Sequence, residues 1–235
     1  MTITLDALQK RYGEKVALDI PHLDIASGEL VGLVGNNGAG KTTMLRLVLD
    51  LIEATSGRVL SGEADVSKSD DWKTYTGSFV DGRFLIDFYT AEEYFGLIAQ
   101  LYGISDEALA ERLEAFKPLM HDEVLGTGKY LRDYSEGNRQ KIGIIGAMII
   151  RPKVLLLDEP FNYLDPSSQI VVARLIQQMN AELGTTVIIS SHNLSFVTDI
   201  CTRILLLERG MLVKDLQNAD GSATPELTQY FISEA

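Results

Sequence analysis

Apolar and polar positions alternate along residues 2–9 (TITLDALQ), the two-residue period of a half-buried strand. Leu30–Val34 is instead a short apolar run that ends in glycine, and it too predicts a strand. From Lys41 onward, Met44, Leu47, Val48 and Leu51 recur at helical spacing, and Ser56-Gly57 stops the pattern before a strand at 58–60. Residues 62–71 (GEADVSKSDD) are polar and acidic and predict a solvated loop. Residues 90–117 hold two helical segments broken near Gly103, with Ser105 placed to cap the second. A third helix is predicted over 135–150, apolar on most faces after Ile142 and therefore buried. Residues 154–157 and 186–190 are aliphatic strands of the kind a parallel sheet buries on both faces, with a helix over Pro166–Leu183 between them. The alternation predicts an α/β fold: a mostly parallel sheet from residues 1–82 and 151–235, interrupted by a helical insertion over 83–150.

A length of 235 residues gives a prior of about 1.6 domains, so one domain with a subdomain is expected. Hydrophobic residues at 46% and charged residues at 23% match folded proteins and exclude disordered or collagen-like chains. The balance of 21 basic against 33 acidic residues, a net charge of -12, repels phosphate backbones and argues against nucleic acid as a partner. The single cysteine, Cys201, excludes an intrachain disulfide and fits a reducing compartment. Residues 1–15 mix charges and carry no signal-peptide pattern, and the apolar run 142–150 is far shorter than the ~20 residues of a membrane span. Any action at a membrane then requires another chain to cross it.

The chemistry concentrates at strand ends. Gly35-Asn36-Asn37-Gly38-Ala39-Gly40-Lys41-Thr42, followed by Thr43, matches G-x-x-x-x-G-K-[ST] in full, between a predicted strand and helix. Its glycines allow backbone N–H groups to turn around a triphosphate, and the following helix offers its positive N-terminus. Lys41 is expected on the β- and γ-phosphates of ATP and the Thr42 hydroxyl on Mg²⁺. The strand at 154–157 runs into Asp158 and Glu159, an acid pair with no structural purpose there. Asp158 suits Mg²⁺, and Glu159 suits the base that takes a proton from attacking water. The strand at 186–190 delivers His192 to the same sheet edge, where it is expected to hydrogen-bond the γ-phosphate or the water.

Together these motifs resemble the nucleotide-binding subunit of ABC (ATP-binding cassette) transporters, and the resemblance covers essentially the whole chain. Its added element is Asp133-Tyr134-Ser135-Glu136-Gly137-Asn138-Arg139-Gln140, similar to the family's L-S-G-G-Q signature. Ser135 and Gly137 match; Tyr134, Glu136 and Asn138 depart from it, and Glu136 adds a negative charge. The resemblance implies a P-loop NTPase core with an N-terminal antiparallel β part and an inserted α-helical subdomain carrying the signature. It further implies that Tyr12 stacks on adenine, that Asp165 belongs to a loop reaching a second subunit, and that Ser135 and Gly137 contact γ-phosphate. Asp81 stands where the family usually has a Mg²⁺-touching glutamine, and it remains an oxygen donor.

By the same resemblance, two cassettes close head to tail on two ATP molecules, each supplying its signature to the other. The implied role is an ATP hydrolase that powers a transporter, peripheral on the cytoplasmic face of the cell membrane through an integral membrane subunit. Asp81, the loose signature and the absence of an added C-terminal regulatory domain favour an exporter of the drug, peptide or lantibiotic type. A soluble, non-transport ABC ATPase and a weakly hydrolysing regulator are the alternatives. Of eight Phe and nine Tyr residues, seven fall between positions 79 and 102. Phe84, Phe88 and Tyr89 are expected to dock the membrane partner, and Tyr94, Phe95 and Tyr102 to fill the subdomain core.

Overall fold

Strands β1 (Ile3–Tyr12) and β2 (Lys15–Ile25) pair antiparallel from Ile3 opposite Ile25 to Tyr12 opposite Lys15. In the computed structural model, which describes residues 1–233, β3 (Leu30–Val34) follows and leads into α1 (Lys41–Val48). Next come β4 (Ser56–Ser61), β5 (Ala64–Asp65) and β6 (Thr76–Phe79). Four helices then occur before the next strand: α2 (Ala91–Leu101), α3 (Asp106–Glu114), α4 (Lys117–Met120) and α5 (Glu136–Met148). The chain returns through β7 (Val154–Asp158), α6 (Pro166–Leu183), β8 (Thr186–Ser191), α7 (Leu194–Ile200), β9 (Arg203–Glu208), β10 (Met211–Gln217) and α8 (Thr224–Ser233).

Among the described residues, ten strands join in one sheet in the order β5-β4-β1-β2-β10-β9-β3-β8-β7-β6. The segment from β9 to β6 is parallel, and the β5-β4-β1-β2 part is antiparallel. Along β7 the two-residue period divides the core: Leu155 and Leu157 pack with α5, α6 and α7, whereas Val154 and Leu156 pack with α1 and the β1–β2 ribbon. All five residues of β3 are buried because helices cover both faces of that part of the sheet.

The 62–71 stretch departs from the expected solvated loop. Ala64 and Asp65 pair with β4 as a short edge strand, and Val66 is buried. Trp72 explains this: its indole is buried in the apolar cluster that also holds Val66 and residues of α1, and its Nε1–H donates to the Val66 carbonyl at 3.1 Å, fixing the polar run over an apolar anchor. Tyr102 also departs from expectation. It is 38% exposed, and its hydroxyl donates to the carbonyls of Lys73 and Thr76, whereas Phe95 is fully buried as expected. Burial pushes the Tyr94 phenol up to about 12.

Candidate active site

Strands β3, β8 and β7 lie side by side with their C-terminal ends in register, Val34 opposite Ser191 and Asp158 opposite Ser190. The parallel ladder thus aligns three loops at one edge, where an open α/β sheet offers a ligand crevice. The loop after β3 wraps toward α1, whose N-cap Gly40 has φ 111, a left-handed value that favours glycine. Lys41 is only 7% exposed; its Nζ donates to the Gly35 carbonyl at 2.7 Å and stands 3.7 Å from Glu159 Oε1. Asn36, Asn37 and Gly38 are exposed, and the Ala39 N–H closes the turn onto the Asn36 carbonyl at 3.0 Å.

Thr42 Oγ1 donates to Asp158 Oδ2 at 2.6 Å, and the Ser190 hydroxyl donates to Asp158 Oδ1. Burial pushes the Asp158 carboxyl above the usual carboxylate range, against the pull of these two hydroxyls. Glu159 adopts φ 48, strained for a residue with a side chain, at a cost on the order of 1–3 kcal/mol. Its N–H donates to Ser190 Oγ at 2.9 Å, and its carbonyl accepts from Gln140 Nε2 at 3.1 Å. The carboxylate accepts the His192 backbone N–H at 3.2 Å and lies 2.9 Å from His192 Nδ1. A proton on Nδ1 fits this contact and leaves Nε2 for a ligand.

A cleft of about 640 Å³ lies over the phosphate loop, bordered by Tyr12, Lys15, Lys41, Thr43, Glu159 and Arg209. Such a volume suits a nucleotide-sized ligand. Tyr12 is 55% exposed and carries the Lys10 ammonium 5.0 Å from its ring centre. Thr42 and Asp158 present a hydroxyl and a carboxylate side by side, which fits Mg²⁺, a hard cation that takes few protein oxygens and keeps water and phosphate ligands.

The remaining residues sit apart from this cleft. Ser135 caps α5, accepting the Asn138 N–H at 3.3 Å, and faces solvent. Gly137 passes so near the loop after β7 that an added Cβ would lie 2.7 Å from the Tyr163 carbonyl. Asp165 caps α6, and hydrogen bonds from Ser167 and Ser168 hold its carboxyl well below the usual range. Asp81 does not join the Thr42–Asp158 pair. Its carboxylate is gripped by Arg83, with Nη2 at 2.6 Å, and by Arg46 Nη2 at 3.2 Å, and chiefly the Arg83 bonds hold it below the usual range. The expected metal contact from Asp81 therefore meets two guanidinium groups that already neutralise it.

The sequence profile of the ABC transporter family matches residues 18–162. The chain belongs to the ABC transporter family. It is 32% identical to the methionine import ATP-binding protein MetN of Cupriavidus metallidurans, over 99% of this chain and 70% of that one. It is 31% identical to the bacitracin transport ATP-binding protein BcrA of Bacillus licheniformis, over 89% of this chain and 67% of that one. Its fold superposes on a bacterial ABC transporter cassette solved as a dimer with TM-score 0.82 at 27% identity, covering 92% of this chain and 99% of that one. The same cassette solved in a post-hydrolysis state with ADP and Pi gives TM-score 0.81 at 26% identity, again covering 92% and 99%.

The protein is thus an ABC-type ATP hydrolase, and cassettes of this family bind ATP and dimerise. Three polar residues of this ABC cassette site escape a reading by motif. Ser190 holds both Asp158 and the Glu159 N–H. Its signal was a serine interrupting an aliphatic strand one register step from an acid. Gln140 reaches Glu159 from the signature helix, and Arg209 borders the cleft from the β9–β10 turn. Nothing in the local pattern around Arg209 distinguishes it from an ordinary turn residue.

Proposed function

We propose that this cassette is the ATP-hydrolysing subunit of a membrane transporter, working as a head-to-tail pair on two Mg-ATP. The observation that carries the reading is the convergence of Lys41, Thr42, Asp158, Glu159 and His192 at three adjacent strand ends beside one cleft. Lys41 and the loop N–H groups of residues 35–43 bind the phosphates, and Tyr12 covers the base. Thr42 and Asp158 hold Mg²⁺, which neutralises charge on the phosphates when bound. Glu159 accepts the proton of the attacking water while His192 keeps its carboxylate oriented. Ser135 and Gly137 come from the second cassette; neither borders the cleft of its own chain, and Ser135 is exposed, which supports that division. Asp165 steadies the loop that reaches the partner.

Among the described residues no helix is long and apolar enough to cross a membrane. The proposed location is the cytoplasmic face, held there by an integral membrane subunit. Phe84 and Phe88 are 62% and 66% exposed, with the Arg132 guanidinium 4.5 Å from the Phe88 ring centre, and Tyr89 is half-buried behind them. Exposed rings in an irregular stretch after β6 suit anchors for a partner's pocket. Phe88→Asp is expected to lower co-purification with the membrane subunit at least tenfold while Mg-ATP hydrolysis by the isolated cassette stays within twofold. Undiminished co-purification refutes the docking surface. The export reading rests on Asp81 and the divergent signature; transport by the reconstituted pair into inside-out vesicles supports it, and uptake in the opposite sense refutes it.

A further inference from the structure

Arg46 lies four residues after Thr42 on α1, hence on the same helix face as the hydroxyl that meets Asp158. Its guanidinium is largely covered. Nη2 contacts Asp81 at 3.2 Å, and Nε is buried without a hydrogen bond among the described residues. A buried N–H without a partner is unfavourable, and the ionic contact to Asp81 offsets that cost. Asp81, 16% exposed, accepts from Arg46 on one side and from the backbone N–H and guanidinium of Arg83 on the other. The next residue, Gly82, offers its carbonyl to Arg139 Nη2 at 3.1 Å. Arg139 is 13% exposed and also donates to the Leu131 carbonyl at 2.8 Å and to Asp87 at 3.0 Å. Its own backbone N–H closes the first turn of α5 on the Ser135 carbonyl at 2.9 Å.

A polar path therefore runs from the phosphate-loop helix to the signature through Arg46, Asp81, Gly82 and Arg139. Its two non-covalent links are Arg46 to Asp81 and Arg139 to the Gly82 carbonyl, joined by the chain itself between Asp81 and Gly82, and three of the four members, Arg46, Asp81 and Arg139, are ions. A helix shift at Lys41 and Thr42 moves Arg46 with it, since the two turns are one rigid unit.

We propose that Arg46 is a positioning residue for ATP hydrolysis, setting the place of Ser135 through Asp81 and Arg139 according to what occupies the phosphate loop. The proposal rests on the reading above in which Ser135 serves the ATP of a second cassette. It assigns Asp81 a task its arginine partners favour: linking two parts of the chain by charge.

The test uses the full chain carrying Glu159→Gln, which is expected to trap ATP-bound dimers. A fluorescent methylanthraniloyl-ATP gives the nucleotide Kd, and sedimentation gives the dimerisation constant in Mg-ATP. Adding Arg46→Gln should leave the nucleotide Kd within twofold and weaken dimerisation at least tenfold. Asp81→Asn should weaken dimerisation similarly, and the two together no more than the worse single change, because both break one link. A loss of ATP binding equal to the loss of dimerisation overturns the proposal, as does unchanged dimerisation or a double variant whose loss is the product of the singles. If Arg46→Gln does not fold, Arg46→Lys is read by the same criteria: it keeps the charge with a single donor group and should retain part of the dimerisation that Asp81→Asn loses. If the Glu159→Gln parent binds ATP and stays monomeric, the dimeric reading fails first and this proposal with it; a dimeric parent indifferent to Arg46 refutes the positioning role alone.

Discussion

Replacing Glu159 by glutamine removes a charge and a proton acceptor while keeping the shape of the side chain. The amide oxygen can still accept the His192 N–H now held at 3.2 Å, so the strained turn at φ 48 should persist. Two effects follow from the geometry. The proton acceptor for water is lost, and a positioned general base contributes ~10²–10⁴ in rate, or ~2.7–5.4 kcal/mol of barrier. Lys41, 3.7 Å from the carboxylate, also loses its counter-charge. That pair is worth on the order of 4 kcal/mol gross at an effective dielectric of 20, and desolvation offsets most of it. A Lys41 free of Glu159 meets an incoming triphosphate without competition, so ATP affinity should hold or rise. Phosphate release from Mg-ATP is therefore expected to fall at least 100-fold, with nucleotide Kd equal to or below that of the parent. Turnover within tenfold of the parent refutes Glu159 as the base; a tenfold weaker Kd refutes the account of Lys41.

Ser190→Ala removes the hydroxyl that donates to Asp158 and accepts from the Glu159 N–H; that N–H keeps its 3.2 Å bond to the Ser190 carbonyl, so the main loss is the bond to the Asp158 carboxylate, about 1.5–3 kcal/mol. Thermal unfolding should drop by about 2–4 °C per kcal/mol lost, and kcat should fall with little change in KM; an unaltered kcat sinks the positioning role. Asp158→Asn tests the sign of the buried charge. The folded-state carboxyl is raised by burial, so its contribution to stability is full below the unfolded carboxylate range and is lost as pH rises through the folded value. The asparagine variant of the nucleotide-free protein should therefore melt higher than the parent at pH 7 to 8, with the gain vanishing toward pH 4. A gain that does not change with pH contradicts this assignment.

The parts legible in the sequence were those in which one local rule determined the outcome. The phosphate loop could be read because glycine spacing, the strand before and the helix after all serve one anion. Pro166–Leu183 could be read because proline at the first turn and Gly184 at the end mark its limits. Long-range partners were hidden. The 62–71 run looked solvated because its anchor, Trp72, lies outside it and the contact runs to a carbonyl. The ion pair between Asp81 and Arg46 was hidden because its partner lies 35 residues earlier, on α1. Tyr102 looked like core because helical spacing counts rings and cannot see that a phenol will seek the carbonyls of Lys73 and Thr76.

Trp72 is the chain's only tryptophan, and it is buried in the apolar cluster that includes Met44, Leu45, Leu47 and Val48 of α1, the helix that begins with Lys41. The indole is thereby an optical reporter supplied by the protein itself, in an apolar setting that shortens its emission wavelength. Because the apolar cluster that holds it includes residues of the helix after the phosphate loop, the emission follows the packing of the nucleotide-binding half of the molecule. The rings of the 79–102 stretch are Phe and Tyr, so excitation at the red edge of indole absorption leaves the helical insertion dark. A single spectroscopic measurement can then separate loosening of the sheet beneath α1 from movement of the signature-bearing helices.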